Sequence, residues 1–227
     1  MEAMDEKIPE TQLLYVEGSN DKWVVISLLE EYGHKDIINV QNIGSCEQAI
    51  NAFELKVSNP VETERIGLIV DADDKIDKRC KGIVKAFENN GITITDDELM
   101  QENGFVADVM NQSGATIKVG VWIMPNNNDE GMLEDFLFNK IETDNVLFAC
   151  VEPVLQDLED KATSDSNLKN LMYKPVHRKK AKIHSYMSWS NPPDLSMGMA
   201  IHKKIFSRTS EEEKLFKAWL CDLYQFK

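Results

Sequence analysis

Two acidic clusters in this 227-residue chain sit at positions where carboxylate chemistry is usually built. Glu17-Gly18 closes the apolar run Gln12–Val16, and Asp71-Ala72-Asp73-Asp74 closes the apolar run Arg65–Val70. Two carboxylates straight after a buried strand cost stability unless a ligand or a metal compensates them. Asp21 stands four residues after Glu17, and Glu134-Asp135 follow a further apolar run that ends at Pro125. Brought into one crevice, these carboxylates repel one another strongly unless a cation neutralises them. Oxygen-only ligation of that kind selects Mg²⁺ or Mn²⁺ over zinc. Taken singly, an Asp or Glu at a strand end is ordinarily a helix cap or a solvated loop residue. The Asp71-x-Asp73 pair therefore carries more weight than Glu17, Asp21, Asp74, Glu134 or Asp135 alone.

Other reactive residue types offer less. Cys46, Cys80, Cys150 and Cys221 are far apart with no C-x-x-C spacing, which indicates neither a disulfide framework nor a zinc site. His34 reads as a helix-end residue, and His177, His184 and His202 lie in basic helical sequence without a partner at zinc spacing, as surface or packing residues do. Basic residues are concentrated late in the chain. The net charge of −14 divides into −20 over residues 1–170 and +6 over residues 171–227. Lys174, Arg178, Lys179, Lys180 and Lys182 fall within nine residues, flanked by Tyr173, Tyr186 and Trp189, whose rings suit base stacking. A solvated helix face is the ordinary reading of such a run, and contact with nucleic acid is the functional one.

The elements that must position these residues alternate between short β-branched runs and amphipathic helical patterns, the pattern of an α/β fold with a mainly parallel sheet. Gln12–Val16 is expected as the first strand, Asp21–Tyr32 as a helix closed by Gly33, and Ile37–Val40 as a second strand. Ser45 and Gln48 have capping-box spacing ahead of a helix running to about Lys56. Arg65–Val70 reads as a strand buried on both faces, followed by a helix whose Ile76, Cys80, Ile83, Val84 and Phe87 share one side. Phe105–Met110 and Thr116–Met124, joined by Asn111-Gln112-Ser113-Gly114, read as a hairpin. Helices are expected over Met132–Asn139, Leu147–Leu158 and Glu211–Tyr224, and polar Ala162–Asn170 is the linker candidate. The division expected is an α/β domain over 1–160 and a basic, mainly helical extension over 171–227 packed on the same core. In a doubly wound sheet of flavodoxin-like order, the first and third strands are neighbours about 4.8 Å apart. Glu17, Asp71 and Asp73 then converge beyond their carboxyl ends, with Asp21 able to face the same crevice.

Leu13-Leu14-Tyr15-Val16-Glu17-Gly18 followed by Gly67-Leu68-Ile69-Val70-Asp71-Ala72-Asp73 resembles the Toprim domain shared by topoisomerases, bacterial primases, recombination proteins and the OLD nucleases. Asn126–Phe138 and Lys180-Ala181-Lys182 resemble a group of small bacterial Toprim-like proteins related to the OLD nuclease domain. The resemblance spans nearly the whole chain, while only the glutamate and the D-x-D are specific motifs. It implies a Toprim-like doubly wound sheet and a Mg²⁺-dependent phosphotransfer site with Glu17, Asp71 and Asp73 as central acids. By similarity to the OLD branch, Asp21 and Glu134 would complete a second metal position, and Lys180 or Lys182 would balance charge on the phosphate. Asp74 followed by Lys75 departs from the less acidic loop of many Toprim domains and leaves open which carboxylates are ligands.

A topoisomerase needs a tyrosine-bearing domain and a primase a zinc module, and this chain has room for neither. It also lacks the G-x-x-x-x-G-K-[ST] loop of the ATPase attached to OLD nucleases, so the resemblance leaves room for a separate ATPase partner and for homo-oligomers. The expected function is a metal-dependent nuclease acting on DNA or RNA. A catalytically silent Toprim-like scaffold binding a nucleotide or a protein is the alternative. A phosphatase or receiver using Asp71 lacks the D-x-D-G-T continuation. No apolar stretch reaches ~18 residues, and the acidic Met1–Glu10 is unlike a secretory signal, so the expected location is the cytoplasm and no membrane partner is expected.

Overall fold

The computed structural model of the chain describes residues 11–226, so the acidic stretch Met1–Glu10 lies outside the described residues. Aliphatic and β-branched runs become the strands β1 (Gln12–Val16), β2 (Asn39–Asn42), β3 (Arg65–Asp71), β4 (Phe105–Met110) and β5 (Thr116–Met124). They form one sheet in the order β2-β1-β3-β5-β4. All pairings are parallel except the β4–β5 hairpin. Helices α1 (Ser19–Glu31), α2 (Cys46–Ser58), α3 (Ile76–Glu88) and the short α4 (Asp96–Leu99) alternate with the first four strands. After β5 the chain is helical: α5 (Leu133–Phe138), α6 (Val146–Ser164), α7 (Ser166–Leu171), α8 (Arg178–Ser188), α9 (Met197–His202) and α10 (Glu211–Tyr224).

Side chains alternate across a strand, and the two faces of β1 show the consequence. Leu13 and Tyr15 join Ile66, Leu68 and Val70 of β3 in one core with Phe53 of α2 and Ile83 and Phe87 of α3. Leu14 and Val16 join the other core with Val24, Val25 and Leu28 of α1, Phe136 of α5 and Phe216, Trp219, Leu220 and Leu223 of α10. The sheet is thus an α/β layer covered on both faces. The crossover from β1 leads to β2 on one side, and the next leads back past β1 to β3 on the other. This reversal opens a crevice beyond the carboxyl ends of β1 and β3.

The C-terminal helix reaches the sheet through two missing side chains. Gly67 of β3 is paired with Gly120 of β5. A Cβ at Gly67 would lie 2.7 Å from Tyr224 Oη, and one at Gly120 would lie 2.6 Å from Leu223 Cδ2. With both absent, the Tyr224 hydroxyl donates to the Leu13 carbonyl at 2.5 Å and the Trp219 indole N–H to the Phe105 carbonyl at 3.0 Å.

The expected linker Ala162–Asn170 is helical on either side of a single break. Asp165 ends α6 and caps α7, accepting from the backbone N–H of Asn167 and Leu168. Its polar residues face solvent while Ala162 is buried, so a shortage of apolar residues there marks an exposed helix face rather than a loose connection. The strand expected over Ile37–Val40 is shifted to Asn39–Asn42, with Ile38 buried before it, and α1 begins two residues earlier than expected, at Ser19.

Candidate active site

Parallel pairing aligns Val16 with Ile69, so Glu17 and Asp71 emerge together where β1 and β3 end. The Asp71 backbone N–H donates to Glu17 Oε1 at 2.8 Å. One turn into α1, Asp21 Oδ2 accepts the Gly18 N–H at 3.1 Å, which holds this carboxylate at the same opening. The fourth acid arrives from beyond β5. Asp73 takes a left-handed backbone, φ 54°, and donates its N–H to the Gly131 carbonyl at 2.7 Å. A non-glycine residue rarely adopts that conformation, and such strain persists only where surrounding structure imposes it. Gly131 is itself at φ 150°, and a Cβ there would meet Asp135 Oδ2 at 2.6 Å. This bridge brings the start of α5 to β3, so that the Leu133 N–H donates to Asp71 Oδ1 at 2.9 Å and Glu134, 4% exposed, follows directly.

Electrostatics tie these four acids into one group. Burial, reinforced by Asp21, Glu17 and Glu134, pushes Asp71 up to about 8. Burial with Glu17 and Glu134 nearby pushes Asp21 up to about 6. Burial also raises Glu17 and Glu134, the first opposed by the Asp71 N–H and Arg79, the second by Lys180 and His184. The Cys46 thiol beside Glu17 is pushed up to about 12 by burial and by that carboxylate, so it is protonated and inert.

Asp73 does not join the group as a bare acid. Arg79 of α3 donates from Nη2 to Asp73 and from Nε to the Asp71 carbonyl, the latter at 3.0 Å. Asp74 is exposed. Among the described residues, no three His, Cys, Asp or Glu side chains stand close enough to enclose an ion. The donor set is nevertheless all carboxylate oxygen, and Mg²⁺ keeps several waters and uses one or two carboxylates rather than a dedicated cage.

The basic segment is largely matched by carboxylates. Arg178 pairs with Glu152 at 2.7 Å and Glu159 at 2.8 Å, Lys182 with Glu152 at 2.9 Å, and Lys179 with Asp135 at 2.8 Å. Lys182 also lies over the Phe148 ring at 5.0 Å. Lys180, exposed on α8, acts on Glu134, whereas Lys174 is exposed before α8. Tyr186, expected as a stacking residue, is buried and hydrogen-bonded to Asn145 and the Ile205 carbonyl, so it is unavailable to a base.

Arg79 and Gly131 belong to this site and are absent from the sequence reading, and His184, expected there as a surface or packing residue, acts on Glu134. Arg79 had a detectable signal, since it stands three residues after Ile76 and borders the buried stripe of α3. His184 lies one turn beyond Lys180 on the same helix, but nothing local links it to Glu134.

A mostly parallel α/β sheet with carboxylates gathered at its switch point is the class of protein that fold and site define. The chain belongs to the family described as "Protein of unknown function (DUF3226)", whose model matches residues 11–225. Two solved structures of the C-terminal region of the Xanthomonas campestris pv. campestris OLD protein, one phased with mercury and one with platinum, are similar to it. Their TM-scores are 0.45 and 0.44 at 13% and 14% identity, covering 95% of this chain and 95% and 92% of those chains. No curated protein matches.

Proposed function

We propose that this protein is a divalent-metal-dependent phosphodiesterase that cleaves DNA or RNA through a Toprim-like carboxylate site. The observation that carries this reading is the convergence of Glu17, Asp21, Asp71 and Glu134 from four separate elements on one crevice, where burial raises the pKa of each and repulsion from its neighbours in the group adds to the rise at Asp21 and Asp71. Charge arranged against stability in a cleft is a mark of function. Mg²⁺ or Mn²⁺ held by these acids, with Asp73 as a further ligand, would polarise the phosphodiester and lower the pKa of a bound water. One oxygen each of Asp21 and Asp71 accepts a backbone N–H, which orients the side chain and leaves its other oxygen for a ligand. Lys180 would balance charge on the phosphate, a role supported by its action on Glu134, while Lys182 is held by Glu152.

A second reading, a catalytically silent scaffold, is favoured by the hydrogen bonds from Gly18 N–H to Asp21 and from Met132 N–H to Asp135, which give both acids a use without metal. Labelled single- and double-stranded DNA and RNA incubated with Mg²⁺, Mn²⁺ or EDTA separate the two. Metal-dependent cleavage lost in Glu17→Gln supports the phosphodiesterase. Intact substrates under every metal leave the scaffold.

A further inference from the structure

We infer that helix α3, and not the ion-paired residues Arg178, Lys179 and Lys182 of the later basic segment, is the surface that holds the phosphate backbone of a nucleic-acid strand leading out of the acidic crevice. The inference rests on the phosphodiesterase reading for the identity of the strand. The structural contrast that points to it is between two sets of cations. In the later segment, Arg178, Lys179 and Lys182 each face a carboxylate of this chain. On α3 and its cap, Lys75, Lys78, Lys81 and Lys85 are exposed, and none has an ion-pair partner among the described residues. Their spacing of three, three and four residues places them along one side of a helix.

Position and reach agree with this use. The Lys75 N–H donates to the Ala72 carbonyl, inside the D-x-D turn, and Arg79 of the same helix touches both Asp71 and Asp73. The stripe therefore begins at the crevice itself. From Lys75 to Lys85 a helix advances ~15 Å, which matches about four phosphates at ~3.4 Å of axis each. Lys78, Arg79 and Lys85 line a groove of about 500 Å³ between α2 and α3, whose opposite wall carries Glu47 and Glu54. Lys75, Lys78 and Lys81 border a second hollow beside Glu130. Lysine at the start of a helix also opposes the helix dipole, and no side chain caps α3. Lys75 and Lys78 are thus poorly placed for the helix and open to an anion, whereas Lys85 lies in the last turn, where the dipole favours a cation, and Asp77 lies beside them in the first. Arg79 uses one N–H on Asp73 and one on the Asp71 carbonyl, of the five donors a guanidinium carries, and sits where strand and acids would meet.

Fluorescence anisotropy with labelled single-stranded DNA and RNA of one sequence, in EDTA and across a range of salt, tests this. Reversing charge in Lys78→Glu/Lys81→Glu should weaken binding at low salt at least tenfold and reduce the log–log salt slope by about 1.4, two single-strand phosphate contacts. The comparison variant Lys174→Glu/Lys179→Glu should change affinity less than threefold. Melting temperatures close to wild type would confirm that both variants fold, as exposed positions allow. The inference is overturned if the α3 variant binds like wild type, if the later segment's variant weakens binding as much or more, or if wild type binds neither strand. Cleavage measured in parallel keeps the two readings apart. Wild type that binds through α3 without cleaving removes the phosphodiesterase and keeps this surface, whereas cleavage unaffected by the α3 reversal removes this surface alone. The tighter of the DNA and RNA arms identifies the strand.

Discussion

The crevice at the ends of β1 and β3 and the helical side built from α6, α8 and α10 both take charge out of water, but they do so in opposite ways. On the helical side charges are matched. Lys140 and Glu213, 2% and 5% exposed, pair at 2.5 Å, and the Tyr32 hydroxyl donates to the other Glu213 oxygen. Arg178 and Lys182 pull Glu152 down to about 2. In the crevice, four acids face one another and Asp71 rises to about 8. A paired buried charge is compatible with a purely structural role, because its desolvation is offset inside the chain. In the crevice the like charges are opposed only in part, by backbone N–H groups, Arg79, Lys180 and His184, and burial keeps each pKa raised.

The sharpest way to break this comparison is Asp71→Ala. If the crevice is a metal site, metal-dependent cleavage should fall at least about a thousandfold, ~4 kcal/mol of transition-state stabilisation. Melting temperature without metal should stay the same or rise, since repulsion is relieved. Unchanged cleavage or a large fall in melting temperature would make the crevice an ordinary structural cluster.

On the matched side the effect should appear in stability. Glu213→Ala leaves the Lys140 ammonium buried without its partner and should cost about 3 kcal/mol in denaturant unfolding. The double variant Lys140→Met/Glu213→Leu should recover most of that loss. A single variant as stable as wild type would show that the pair contributes nothing.

Acidity distinguishes the two regions by sign. Asp71 has an ordinary value of 3.8 and about 8 in the metal-free fold, so the fold retains a proton that the unfolded chain releases. Its contribution is complete below about pH 4 and is lost as pH rises through about 8. Asp21, at about 6, acts in the same direction. Metal-free protein should therefore lose melting temperature over that window, and Asp71→Asn should flatten the loss. Glu152 behaves oppositely, moving from 4.5 to about 2, so its contribution is present above about pH 4.5 and lost as pH falls towards 2. Because Glu152 is 46% exposed, the Glu152→Ala change should cost no more than about 1 kcal/mol. Urea titrations at neutral and acid pH check both the size and the sign.

Much of the framework was legible along the chain. The bounds of β1, the β4–β5 hairpin and α10 match the expected ones, because each combines a clear period with a local stop: Glu17-Gly18, the Asn111–Gly114 turn, and Ser210 accepting from the Glu213 N–H. The Ser45 cap of α2 is equally local, accepting from the Gln48 N–H at 3.3 Å. At Ala162–Asn170, the linker candidate, the polar residues lie on exposed helix faces on either side of Asp165. The acids at the strand ends were visible for the same local reason, as carboxylates ending buried runs.

What tertiary structure alone decided is which charges meet. Glu152 and Glu159 lie 26 and 19 residues from Arg178, and Glu213 lies 73 residues from Lys140, so no window of sequence contains these pairs. The Asp73–Gly131 bridge brings Glu134 to the crevice across a further 58 residues of chain, by way of a left-handed turn that residue type alone does not announce. Period and capping act over one turn or one strand, and they determined the elements of this protein from its sequence. Electrostatic compensation depends on distance in space, so only the packed sheet and its helices decided which carboxylates are matched and which are not.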